Sequence, residues 1–135
     1  MAEKIISLSI VSPEKIVFTG EVTSITAPGE LGYFQVLFNH AALISTLGTG
    51  RLKVITESNE ELLFAVSGGV FEVKNNKAIL LADSIESKED IDVERAEQTL
   101  LRAKEILESS EEKKAKEEAK QDIITEQNKL KVSGK

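Results

Sequence analysis

The 135-residue chain has no cysteine, no tryptophan, a single histidine and only two prolines. Without cysteine there is no disulfide framework, no thiolate zinc site, no iron–sulfur cluster and no cysteine nucleophile, and one histidine excludes a multi-histidine metal site. Aromatic residues make up 4%, and 23 acidic side chains outnumber 17 basic ones for a net charge of −6. That balance lacks both the basic footprint and the stacking platform of nucleic-acid binding, so nucleic acid is excluded as a partner. No apolar run approaches the roughly 20 residues of a membrane span. Met1 to Lys4 leads into alternating Ile and Ser rather than the apolar block of a signal peptide. Membrane association is therefore expected only through another protein.

What the chain does contain falls into two parts. Residues 1–86 hold seven of the eight glycines, both prolines and every aromatic residue, with 6 basic and 10 acidic side chains. Residues 87–135 carry 24 charges in 49 positions and are rich in Ala, Glu, Lys and Gln, a helix vocabulary. In the first part the period is 2: Ile6, Leu8 and Ile10 alternate with Ser7 and Ser9, and Leu52 and Val54 alternate with Arg51 and Lys53. The runs Leu62-Leu63-Phe64-Ala65-Val66 and Ala78-Ile79-Leu80-Leu81-Ala82 are apolar on both faces and read as strands in the middle of a sandwich. Pro28-Gly29, Gly48-Thr49-Gly50, Ser58-Asn59, Gly68-Gly69 and Asn75-Asn76 read as turns, Gly68-Gly69 alternatively as a bulge, and Asn75-Asn76 suits a type I′ hairpin. Many short strands predict an antiparallel sandwich or barrel, with no helical pattern between them to support a parallel sheet.

The second part is helical. Val93, Ala96, Leu100, Ala103 and Leu107 recur at steps of three and four, with Asp92 placed as N-cap. Ser109 and Glu112 make a capping-box pattern that predicts a break and a second helix with Ala115, Ala119, Ile123, Gln127 and Leu130 on its inner stripe. Alanines where a stable bundle uses leucines bury little apolar area, at roughly 25 cal/mol per Å². The product is a helical hairpin that can undock.

Catalytic motifs fail one by one. His40 has no cysteine partner, and Ser67 in Val66-Ser67-Gly68-Gly69 lacks the first glycine of a nucleophile elbow. Gly48-Thr49-Gly50-Arg51-Leu52-Lys53 begins like a dinucleotide fingerprint and ends in a lysine with no helix after it. No catalytic residue is assigned.

The segments Val11-Ser12-Pro13-Glu14, Phe18-Thr19-Gly20-Glu21-Val22, Ala27-Pro28-Gly29-Glu30-Leu31-Gly32, Val36-Leu37-Phe38-Asn39-His40-Ala41, Val66-Ser67-Gly68-Gly69 and Ile91-Asp92-Val93-Glu94-Arg95-Ala96, in that order, resemble the epsilon subunit of F-type ATP synthases. The resemblance implies a mainly β fold with an α appendage: a ten-stranded antiparallel β-sandwich over 1–86, then a two-helix antiparallel hairpin over 87–135. It implies a non-catalytic central-stalk subunit of a proton-translocating synthase. Its partners would be the gamma subunit, the c-ring and the alpha/beta hexamer, and it would couple c-ring rotation to ATP synthesis. Its location would be peripheral, on the cytoplasmic side of the bacterial inner membrane or alternatively on the stromal side of a thylakoid. The turn around Pro28 to Tyr33 and the region of His40 would face the c-ring, which makes Glu30, Leu31, Gly32 and His40 partner contacts. Phe38 and Ala42 replace prolines usual in that segment.

In bacterial members of the family the hairpin is a brake on ATP hydrolysis, and in some it binds ATP as a regulatory ligand through a motif that Ile91, Asp92, Arg95 and Ala96 reproduce. Glu86 and Arg102 match further positions of that site. No cofactor is required, and no metal site is implied. The second helix contains no arginine, and Lys129 stands where those members use one. The alternative is structural: Asp92 caps the helix, Ala96 packs on the sandwich, Arg95 pairs with Glu86 or with a neighbouring strand, and the chain is a coupling subunit with a permanently docked hairpin.

Overall fold

The computed structural model describes residues 4–134. Met1 to Glu3, on which the reading of the chain's start rests, and Lys135 lie outside the described residues. Six strands come first: β1 (Ile6–Val11), β2 (Ile16–Gly29), β3 (Gly32–Leu37), β4 (Leu43–Thr56), β5 (Glu61–Lys74) and β6 (Lys77–Ser87). A 3₁₀ turn, Lys88–Asp90, leads into α1 (Val93–Ser109) and α2 (Lys113–Ser133). Strands neighbour one another in the order β1-β6-β5-β4-β2-β3, and β1 also pairs with β2, so the sheet closes on itself. One pairing, β1 with β6, is parallel, which corrects the expectation of a wholly antiparallel sheet. A parallel pair needs a long crossover, and here β2 to β5 supply it in place of a helix.

Six strands do the work of the expected ten because four of them serve both layers. In β5, Phe64 and Val66 face the core before Gly68-Gly69, whereas Phe71 and Val73 face it afterwards, so the alternation changes phase. β4 changes phase at the same level, between Leu47 and Leu52, and β6 changes between Ala82 and Ile85. The pairings Leu47↔Gly69↔Ala82 and Thr49↔Ser67↔Ser84 bracket this crease. β2 changes phase at the register shift between Val22 and Ser24, before Ile25 and Ala27. Gly48-Thr49-Gly50 and Gly68-Gly69, read as turns, are therefore corrected to the interior of β4 and β5. Gly68 and Gly69 adopt φ of 76° and 134°, which swaps the two faces of the strand without ending its pairing.

The β3–β4, β4–β5 and β5–β6 connections carry asparagines at positive φ. Asn75 and Asn76, at φ 52° and 60°, make the expected hairpin between β5 and β6. The Asn76 side chain also accepts from the Asn39 backbone N at 2.6 Å and donates to Asn39 Oδ1 at 3.0 Å, tying the β3–β4 loop to this hairpin. Asn76→Ala is expected to cost about 1.5 kcal/mol, through the left-handed backbone and the lost bonds. A thermal melt would show it as a fall of about 5 °C.

Inside, Phe71 meets Phe34 edge to face at 5.4 Å within a core drawn from β1 to β6. The run 62–66 is covered on its second face, but Ile79 and Leu81 of the run 78–82 are exposed, a correction to their reading as fully interior. Asp92 caps α1, its Oδ1 accepting from Arg95 N at 3.0 Å. The chain breaks at Ser110, but the capping box does not form. Ser109 Oγ instead donates back to Glu105 O at 2.8 Å, inside α1. Ala96, Ala103 and Ala119 are buried; Gln127, assigned to the inner stripe, is exposed, and Glu126 is buried in its place.

Candidate functional site: the hairpin seam and the sheet faces

α2 rests on β4 and β5, and α1 packs on α2. The contact of the hairpin with the sandwich is held by polar groups, beside a few buried small apolar residues, Ala96, Ala103, Ala119 and Val132. Asn128 Nδ2 donates to Gly50 O at 2.9 Å and to Val66 O at 3.3 Å. Ser67 Oγ lies 3.0 Å from Thr125 Oγ1, and Gln121 Nε2 donates to both at 3.2 Å. The phase change at Gly68-Gly69 makes this possible, because it leaves Ser67 facing the helix. Periodicity did not reveal the seam, since Gln, Thr and Asn at helical spacing read as solvated surface.

The charged end of the seam is Lys129. Its Nζ lies 2.9 Å from Glu86 Oε1 and 3.2 Å from Glu126 Oε2, with side-chain exposures of 18% for Lys129, 37% for Glu86 and 11% for Glu126. Burial pushes the Lys129 ammonium toward a lower pKa. The hydrogen bond that Lys129 donates to Glu86, then attraction to Glu126 and Glu86, outweigh it, and the net shift is upward from the ordinary lysine value. Glu86 therefore pairs with Lys129, and the expected Arg95 partner is corrected.

Glu86, Asp92, Arg95 and Ala96 do line one cleft, of about 300 Å³, together with Asp90, Glu126 and Lys129. Ile91 lies beside it on the chain and is partly buried. Arg102 is exposed and outside the lining, two helical turns along α1 from Arg95. Four carboxylates face two cations in this cleft, and Lys129 is engaged by two of them. Arg95 is the cation left to meet a phosphate.

The expected partner contacts do not form one patch. Glu30 and Leu31 make the β2–β3 turn, with Leu31 fully exposed and Gly32 at φ 140°. His40 follows the other end of β3, with its Nδ1 2.7 Å from Ala41 O. Six residues of strand, about 20 Å, separate the two.

A second surface was missed by sequence reading. Val70, Leu81, Val11 and Ile16 form a single cross-strand row on the outer face of the layer that α2 does not touch. Ile44 and Ile79 flank the row through Glu72, and all of these apolar residues except Val11 are exposed. Each belongs to a strand whose opposite face fills the core, and of these residues the sequence pattern places Ile79 and Leu81 in the interior.

Comparison with known proteins places these features. Residues 5–88 match the ATP synthase delta/epsilon chain β-sandwich domain and residues 89–134 the long α-helix domain. The ATP synthase epsilon chain of Protochlamydia amoebophila is 47% identical over 102 residues, 76% of this chain and 69% of the relative. That of Leptospira borgpetersenii is 44% identical over 109 residues, 80% of this chain and 84% of the relative. In fold, a chain of the Euglena gracilis mitochondrial ATP synthase (OSCP/F1/c-ring) superposes with a TM-score of 0.80 at 19% identity, covering 95% of this chain and 81% of that one. With both domains matched in order and with close likeness to bacterial epsilon chains, this chain belongs to the ATP synthase delta/epsilon family as an epsilon chain, a stalk subunit and not a catalytic one.

Proposed function

We propose that the chain seats on the gamma subunit through the apolar face of its sandwich, couples c-ring rotation to ATP synthesis, and restrains ATP hydrolysis through its hairpin. The row Val70–Leu81–Val11–Ile16 carries the seating. A contiguous apolar face on a chain of net charge −6 is the kind of surface that a permanent subunit contact covers. The Leu31 turn, exposed at the far tip of the sheet, is left to meet the c-ring. No helix among the described residues is long and apolar enough to cross a membrane, so attachment on the cytoplasmic side would pass through these partners.

The test is binding to purified gamma subunit. Val70→Ser and Leu81→Ser are each expected to weaken it about tenfold, since burial of such a side chain is worth about 1.5–3 kcal/mol. Unchanged affinity in both would overturn the seating. For the hairpin, removing residues 89–134 is expected to raise ATP hydrolysis by the assembled complex. Equal rates would leave a purely structural coupling subunit with a docked hairpin.

A second reading, ATP as a regulatory ligand of the cleft at Glu86, has in its favour that Asp92, Arg95 and Ala96 gather there. The four carboxylates oppose it. Titration with millimolar ATP, watched at the amides of Glu86, Asp92 and Arg95, separates binding from its absence.

A further inference from the structure

A larger cleft, of about 650 Å³, opens on the other side of α2, between its last turns and β3 and β4. Its electrostatics are the reverse of those at Glu86. Arg51 from β4 and Lys131 from α2 line it, and none of its lining residues is acidic. Among the described residues neither cation has an ion-pair partner, in a chain where acidic groups outnumber basic ones by 23 to 17. Two exposed like charges are thus brought to one cavity by the docking of α2, where an anion would meet both.

Of the remaining polar groups in the lining, Thr49 Oγ1 is engaged with Ser67 Oγ at 2.9 Å, and the Tyr33 hydroxyl is the donor left. Tyr33 Oη accepts from Arg51 N at 2.9 Å, so its own proton is free to point into the cleft. Asn128 Nδ2 is spent on Gly50 O and Val66 O and fixes the floor. The carbonyls of the last turn of α2 would repel an anion, but Gly134 N–H closes onto Leu130 O and Lys131 O. Gly50 itself leaves room for Tyr33 and Pro28, because a Cβ there would meet Pro28 Cβ at 2.6 Å and also the Tyr33 hydroxyl.

We propose that Arg51, Lys131 and the Tyr33 hydroxyl bind a small, multiply charged phosphate anion that bridges the sandwich and α2. Arg51 offers the planar fork suited to phosphate oxygens, and Lys131 adds a point charge from the helix. Because one cation comes from each side, the site exists only while the hairpin is docked. Its occupant therefore stabilises the docked form in proportion to its concentration over its dissociation constant.

The experiment is titration of the full chain with sodium pyrophosphate, and separately with ATP, against sodium chloride of matched ionic strength, read by amide chemical shifts. Saturable shifts at Tyr33, Gly50, Arg51 and Lys131 are expected with pyrophosphate. A tighter ATP curve at the same amides would identify a nucleotide as the source of the phosphate, and an equal one the phosphate chain alone. Arg51→Gln and Lys131→Gln are each expected to weaken binding about tenfold, as loss of a charge-assisted bond does. Tyr33→Phe should weaken it less, and Lys114→Gln, an exposed lysine outside the cleft, not at all. Three results would overturn the proposal: shifts reproduced by sodium chloride, shifts confined to Glu86, Asp92 and Arg95, or wild-type affinity in both charge variants.

Discussion

Gly69→Ala is expected to destabilise the sandwich by about 4 kcal/mol, a large share of a typical domain's stability of about 5–15 kcal/mol. Two effects add. Gly69 sits at φ 134°, a backbone region that L side chains rarely adopt. A Cβ there would also meet Ala82 Cα at 2.9 Å and the Leu81 carbonyl oxygen, which are backbone atoms of β6 and cannot swing aside. Relief would require parting β5 from β6 at the Gly69↔Ala82 pair, where the sheet crosses from one layer to the other. Gly32→Ala separates the two effects: it has a comparable φ of 140° but nothing within 4 Å of the added carbon. Gly48→Ala, with its nearest neighbours at 3.7 Å, serves as the mild control. Thermal or urea unfolding should rank the losses Gly69, then Gly32, then Gly48. Equal losses at Gly69 and Gly32 would show that backbone conformation alone sets the cost and that the crease is not tightly packed. A variant that still folds should also lose hairpin protection, because Gly68-Gly69 orients Ser67 toward α2 and Val70 away from it.

That crease marks the limit of what the sequence discloses. Local alternation at Ile6, Leu8 and Ile10, and at Leu52 and Val54, was legible because each stays in phase within one limb. The Asn75-Asn76 turn and the Asp92 cap were legible because each is a property of a few adjacent residues. Paired glycines inside a strand were not, since the same residues that end a strand elsewhere here only exchange its faces. The candidate site divides in the same way. The gathering of Glu86, Asp92, Arg95 and Ala96 followed from a resemblance in sequence, whereas the Lys129 pairing and the Arg51–Lys131 cleft depend on which face of α2 meets the sheet. Helical periodicity leaves that choice open when both faces carry polar residues. The row Val70–Leu81–Val11–Ile16 was hidden for a further reason: an apolar strand face looks alike whether covered by its own chain or by a partner.

Lys129→Met should release the hairpin without unfolding the sandwich. The substitution keeps the stem and removes the charge, leaving the Glu126 carboxylate, whose side chain is 11% exposed, without its cation. Stranding a mostly buried charge costs about 2–3 kcal/mol here, below the full value for a closed interior because Glu86 is 37% exposed and partly solvated. A two-state hairpin would shift its docked-to-undocked ratio by about 30- to 160-fold. Hydrogen exchange should quicken across α2 while the strand amides of β1 and β6 keep their rates. The pH dependence follows from the raised Lys129 pKa. A lysine whose folded value exceeds its unfolded one contributes in full below the unfolded value of about 10.4, and loses that contribution as pH rises through the folded value. Wild-type protection should hold across neutral pH and fall only in strongly alkaline solution, and Lys129→Met should lack that alkaline step. Glu86, Glu126, Asp90, Asp92 and Arg95 also border the cleft, so a loss already present between pH 6 and 9 would assign the latch to another group. Under the braking role proposed for the hairpin, the same substitution in the assembled synthase is expected to slow ATP hydrolysis, since it would free the hairpin to restrain rotation. Unchanged hydrolysis alongside faster exchange would separate docking from braking and leave Lys129 a structural anchor of the seam.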